Sequence, residues 1–243
     1  MTLSLVLKPF FLLLILMGIA QYSGLDYWLA HYIYQFNLGW GLKEHWLVET
    51  VIHRGGRYLT ISVFVGLLVG ATLSYVPRFK HIHLLALCRY LALSTALAIF
   101  AVSMLKQYSS LPCPWDITLF GGSRPDIKIH QVFSSQQALG HCFPSGHASG
   151  GYAFFSFYFA SLIAGMTDLV PVPTRWQKLM LMPGLMVGLT FGLAQQLRGA
   201  HFLSHDIASA ATCWLVCGLT AYLFSPKTPS QVEYYASVSE QSV

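Results

Sequence analysis

Charge is what this sequence has least of. Only 9% of its 243 residues are Asp, Glu, Lys or Arg, against 55% hydrophobic, whereas a soluble globular domain carries roughly 25% charged residues. That shortage excludes a soluble fold of this size, which would lack the polar surface to cover itself, so most of the exterior must meet lipid. Acids are scarcer than bases, 9 against 14, for a net charge of +5. No basic stripe, zinc-finger spacing or RNA-binding aromatic motif is present, which excludes nucleic acid as a partner. Internal repeats, low-complexity tracts and linkers are also lacking, so residues 1–226 read as one membrane domain. The polar stretch 227–243 is expected to be a disordered tail.

What the chain has instead is long apolar runs. A bilayer core of about 30 Å needs about 20 apolar residues per helix. Six segments qualify: 3–22, 58–76, 84–105, 148–167, 179–198 and 207–224. Backbone groups cannot go unpaired in hydrocarbon, so these are helices, and they lack the polar–apolar alternation of barrel strands. The expected fold is therefore all-α: a polytopic membrane protein of six transmembrane helices with a compact bundle core. The first run has the shape of a signal peptide with Lys8 as its basic flank, but it is long enough to span and is read as a retained helix. No charge sits in the middle of a run, which argues against a channel or an ion-coupled transporter.

Basic residues orient the bundle. The links PRFKHIH (Arg78, Lys80) and PVPTRWQK (Arg175, Lys178) are short, basic and free of acids, which places them, with both termini, in the cytoplasm. Residues 23–57, 106–147 and 199–206 then face outward. The first of these is rich in Tyr and Trp and is expected to lie along the interface.

Three outward segments carry chemistry: KQYSSLPCPWD from Lys106, GHCFPSGHAS over 140–149, and RGAHFLSHD over 198–206. Ser145 and Gly146 precede a helix start, where free N–H groups hold anions. His147 and His201 titrate near neutrality and suit nucleophilic or general acid–base roles. Asp206 can orient an imidazole as a triad acid does, or simply cap the last helix. Lys106 and Arg198 are cations able to clamp a phosphate, or to snorkel at the interface. The stretch His53-Arg54-Gly55-Gly56-Arg57 either touches a head group or is ordinary interface charge.

These residues resemble the type-2 phosphatidic acid phosphatase superfamily of membrane lipid phosphatases. Its motifs are Lys, six residues, Arg-Pro; then Pro-Ser-Gly-His; then Arg, five residues, His, three residues, Asp. Pro144, Ser145, Gly146 and His147 match the second outright. The CPWD, CFP and RGAHFLSHD segments look like a bacterial branch of that superfamily. The resemblance implies that His201 attacks phosphorus to form a phosphohistidine and that His147 protonates the leaving oxygen. Lys106, Ser145, Gly146 and Arg198 would hold the phosphoryl oxygens, and Asp206 would orient His201, without metal or other cofactor. It further implies a lipid-phosphate substrate in a bacterial inner membrane, a site facing the periplasm or exterior, and no obligatory protein partner.

The departures are specific. Cys113-Pro114 stands where the first-motif arginine belongs, leaving Arg124, Arg54 or Arg57 as replacements. Gln195 lies six before His201 in place of an arginine; Arg198, three before it, would share a helix face with His201 and so still point at the site. Asp206 comes one residue late, and His205 rivals His201 as its partner or as the nucleophile. Cys113 and Cys142 are expected either to form a disulfide tying the first segment to the second or to remain two free thiols. Lipid phosphotransfer by the same intermediate, and non-catalytic phospholipid binding, are the alternative functions.

Overall fold

The computed structural model describes residues 1–79, 82–126, 140–166 and 172–225. The expected tail at 227–243 lies outside them. Among the described residues the fold is all-α, and the one β-type contact is an isolated bridge between Ile117 and Arg124. The helices are α1 (Leu3–Tyr22), α2 (Leu25–Phe36), α3 (Gly56–Leu73), α4 (His83–Tyr108), α5 (Gly146–Tyr152), α6 (Phe155–Met166), α7 (Thr174–Leu179), α8 (Met182–Leu197) and α9 (Leu203–Phe224). A π-helical stretch, Leu47–Gly55, runs straight into α3.

Five of these helical stretches are long and apolar enough to cross a membrane: Leu3–Tyr22, Leu47–Leu73, Leu84–Tyr108, Thr174–Leu197 and Leu203–Phe224. The expected run at 148–167 is not a single helix. It is α5 followed by α6, interrupted by a turn at Ala153 and Phe154. The second span also differs from expectation. Its helix begins at Leu47 rather than near residue 58, because Glu49 and His53 lie one helical turn apart and turn inward, which masks the helix in a plain hydropathy reading.

Buried area decides the layout. In α9, 56% of the spanning window is buried, against 11% in α1. The central helix α9 packs against α1, α4, α5 and α6. It can do so because its inward residues are small: Ala208, Ser209, Ala210, Ala211, Gly218 and Ala221. Phe11, Leu12, Ile15 and Ile19 of α1 are each more than half exposed, a continuous apolar wall that only lipid would cover. Interhelical hydrogen bonds close the bundle: Trp214 Nε1 donates to the Val6 carbonyl at 3.0 Å and Tyr90 OH to the Cys217 carbonyl at 2.9 Å. Without water in the bilayer core, such groups must pair within the protein.

Helix α8 approaches its neighbours through Gly184, Gly188 and Gly192, spaced every fourth residue. A Cβ on Gly184 would meet the Phe155 ring at 2.6 Å, one on Gly188 would enter the Tyr152 ring, and one on Gly192 would meet the Asp206 carboxylate at 2.8 Å. Small residues at this spacing let backbones meet where no hydrophobic force drives helices together.

One end of the bundle gathers the C-terminal ends of α4 and α8 and the N-terminal ends of α5 and α9. Gln21, at the end of α1, reaches it too, accepting from Ser204 Oγ at 3.2 Å. The opposite end holds Met1, whose amino group contacts Met166 Sδ, together with the link that carries Arg78 and helix α7, which carries Arg175 and Lys178 where a link was expected. Helix α2 lies at the first end. Asp26 on it accepts from the Ser204 backbone N–H at 2.9 Å, and so caps α9 from another element, since the cap residue Phe202 offers no side-chain acceptor. Trp28, Tyr32 and Phe36 of α2 stack one turn apart on an exposed face.

Candidate active site

The chain reverses between α8 and α9 by a glycine turn. Gly199 has φ of +75°, a conformation that costs a residue with a Cβ but not glycine. Its N–H donates to the Gln196 carbonyl and that of Ala200 to the Gln195 carbonyl, both at 2.9 Å. This pair of bonds is the Schellman ending of a helix. It fixes Arg198 on the last turn and carries His201 inward. A Cβ on Gly199 would also strike the Trp40 ring.

The three outward segments are laced together there. Trp115 N–H donates to the Gly199 carbonyl at 2.9 Å, Cys142 N–H to the Leu111 carbonyl at 3.0 Å, and Ser145 N–H to the His205 carbonyl at 3.2 Å. Ser209 Oγ donates to the Ser145 carbonyl at 2.8 Å. Cys113 and Cys142 are joined in a disulfide with Cα atoms 5.2 Å apart, inside the usual range for such bridges. The sulfurs and Asp116 cluster as metal ligands do, but metals bind thiolate and the bridge leaves none.

Around this lacing is a cleft of about 240 Å³ lined by His53, Lys106, Cys113, Trp115, Cys142, His147, Gln195, Arg198, Ala200 and His201. Lys106, His147, Arg198 and His201 were all expected here. The Lys106 ammonium lies over the start of α5, where a Cβ on Gly146 would stand 3.6 Å from Nζ. Ser145 is fully buried behind it. Two polar atoms of cleft-lining residues, His147 Nε2 and Gln195 Nε2, are buried with no hydrogen-bond partner among the described residues. Buried polar atoms of that kind are uncommon, and they are usually met by a ligand or water.

His201 is buried, and its Nδ1 lies 3.4 Å from His205 Nδ1. Burial first, and then the Lys106 ammonium and His205, hold the His201 imidazole well below its ordinary pKa; a hydrogen bond to the Cys142 carbonyl offsets part of this. A neutral ring with a free lone pair at pH 7 is the form a nucleophile needs. The expected pairing of Asp206 with His201 is replaced. Asp206 Oδ2 accepts from Gln196 Nε2 at 2.6 Å. His201 lies in the link just before α9 and His205 on its first turn, which puts His205, and not the next residue, against the ring.

Arg198 is more engaged than its sequence position suggests. Its Nη2 lies 2.5 Å from Glu49 Oε2, and Nε donates to the Lys43 carbonyl at 3.0 Å. Glu49 also accepts from His53 Nδ1 at 3.1 Å and from Arg54 Nε at 3.0 Å. The His53 and His147 rings meet edge to face with centroids 4.5 Å apart, and His147 stacks on Phe191 at 4.4 Å.

None of the three replacement arginines lines the cleft. Arg124 is held by backbone bonds to Asp116 and Thr118, while Arg54 and Arg57 are exposed. Sequence reasoning missed Glu49, Gln196 and Asp26 and left His53 undecided. The spacing of Glu49 and His53, one turn apart, was the signal that marks an inward polar face.

Fold and site together define a polytopic helical membrane protein with a small histidine- and cation-lined cleft at one end of its bundle. Residues 87–229, more than half of the chain, match the model of the PAP2 superfamily, and the chain belongs to that superfamily. Phosphoric ester hydrolysis is the general chemistry of its members. No curated protein and no solved structure matches the chain. The matched range takes in Lys106, Ser145, His147, Arg198, His201 and Asp206 but begins after Glu49 and His53.

Proposed function

We propose that this protein is a metal-independent phosphatase of membrane lipids that works through a phosphohistidine on His201. The observation that carries the reading is the cleft: two cations, Lys106 and Arg198, the neutral His201, and two buried polar atoms without partners, His147 Nε2 and Gln195 Nε2, converge on a volume of about 240 Å³. That volume suits a phosphoryl group, with the lipid tail left among the helices.

In this reading His201 attacks phosphorus and His147 protonates the departing lipid oxygen. Lys106 offers a point charge, Arg198 a planar fork, and Ser145 and Gly146 short-range contact to the phosphoryl oxygens. Gln195 adds a neutral donor where the superfamily's motif has an arginine. His205 orients His201, and Asp206, with Gln196, braces α9 behind it. The cleft end faces the exterior of a bacterial inner membrane, and the opposite, basic end faces the cytoplasm.

The test is phosphate release by purified protein in chelator, across phosphatidate, phosphatidylglycerol phosphate, undecaprenyl diphosphate and lipid A phosphate. Turnover of at least one, inhibition by vanadate and loss of turnover in His201→Ala are expected. Undiminished turnover in His201→Ala would overturn the assignment of the nucleophile.

A further inference from the structure

Glu49 and His53 sit on the π-helical turn before α3, outside the range that matches the superfamily. Yet His53 lines the cleft and its ring touches that of His147. We infer that His53, held by Glu49, is a further proton-transfer residue of this site: the base that takes the proton from the attacking water in the second half of the reaction. The inference rests on the phosphohistidine reading given above.

The geometry favours His53 over His147 for that step. An ionised carboxylate only accepts, so Glu49 fixes the His53 tautomer with the proton on Nδ1 and leaves Nε2 its lone pair. The same carboxylate steadies the imidazolium that forms when Nε2 takes a proton, as a triad acid does. His147 has no carboxylate partner: its ring donates to the Ile52 carbonyl, its Nε2 is buried without a partner and its face is covered by Phe191. The His53 side chain is 35% exposed, so water reaches it first. The charged and titratable groups that face His53 are Glu49 and Arg54 on its own turn, His147 from α5 and Arg198 from the end of α8.

The protons balance. In the first step His201 forms the bond to phosphorus, the phosphorus–lipid oxygen bond breaks, and that oxygen leaves with a proton from His147. In the second step water bonds to phosphorus, the phosphorus–nitrogen bond breaks, and the water proton passes to His53 Nε2. Transfer from His53 to the adjoining His147 restores both rings. Glu49 is a positioning residue, acting through His53.

Rapid-quench labelling with a radioactive lipid phosphate separates the two steps. In His53→Gln the phosphoenzyme should form at close to the wild-type rate while its hydrolysis slows by about 100-fold, the low end of what a general base contributes. Labelled protein then accumulates. Glu49→Gln should also slow hydrolysis more than formation, by a smaller factor, since an amide oxygen still accepts from Nδ1 but does not steady the cation. Added imidazole should speed hydrolysis in His53→Ala, provided that variant elutes and unfolds as the wild type does. Equal slowing of both steps in His53→Gln, or failure of imidazole to restore hydrolysis in a folded His53→Ala, would overturn the assignment. Absence of labelled histidine in the wild type under turnover would instead sink the phosphohistidine reading, and this proposal with it.

Discussion

Replacing Asp206 with asparagine asks whether this carboxylate takes part in the chemistry or in the scaffold. Asp206 is 2% exposed, and its Oδ2 accepts from Gln196 at 2.6 Å. An amide oxygen in its place keeps that bond but gives up the charge that strengthens it. Bonds to charged groups contribute about 1.5–3 kcal/mol and neutral ones about 1 kcal/mol, so the loss is at most about 1 kcal/mol. Removing a buried charge returns part of that. For a chain of this length the melting temperature should therefore fall by only about 2–4 °C. Activity should fall less than about tenfold, because the ring partner of His201 is His205. Were Asp206 the orienting acid of a triad, the same change would cost on the order of 10⁴ in turnover, as it does in chymotrypsin-like proteases. The assay is steady-state phosphate release in chelator beside thermal unfolding of the same sample. A loss of a thousandfold or more in a variant that unfolds near the wild-type temperature would refute the scaffold role. Gln196→Leu provides the contrast: it strips the carboxylate of its donor and should cost about 3 kcal/mol.

Three further outcomes follow from the geometry. The His201 pKa is depressed below the unfolded value of about 6.5, so between those two values the unfolded chain binds a proton that the folded one does not. Stability is then fully present above about pH 6.5 and is lost as pH falls from there toward the folded value. Thermal unfolding from pH 8 to pH 5 should show this, and His201→Gln should flatten the slope; an unchanged slope would contradict it. Reducing the Cys113–Cys142 bridge, or replacing it with serines, should cost about 3 kcal/mol and most of the activity, because both residues line the cleft. Mass mapping without reductant that finds two free thiols would remove the basis for this. Gly151→Leu should abolish turnover by forcing α5 from α8, since even a Cβ there would stand 2.6 Å from the Gly188 Cα; a fully active variant would show the helices are not in that contact.

Much of the fold is legible from composition, because lipid exposure leaves long uniform runs that hydropathy detects directly. The α1 range agrees to the residue, and α4 and α9 agree within a few. Legibility fails where polar residues enter a helix or a turn divides one. Leu47–Gly55 looks like a link because Glu49, His53 and Arg54 lower its hydropathy, although their partners lie inside the site. The 148–167 run is apolar throughout, and nothing in that pattern marks the turn at Ala153 and Phe154 that splits it. For the site, motif order gathers Lys106, His147, Arg198 and His201, which all line the cleft. Pairwise contacts are another matter. That Asp206 meets Gln196, or that Arg198 meets a glutamate from a distant turn, depends on which helix faces pack together, and one-dimensional spacing does not carry that.

The most direct measurement is a quench of the wild type and His201→Ala during turnover of a lipid phosphate in excess chelator. The account predicts an acid-labile, base-stable phosphoenzyme on His201 in the wild type, and neither label nor phosphate release in the variant. Turnover that requires a divalent cation, or a labelled residue other than His201, would contradict it.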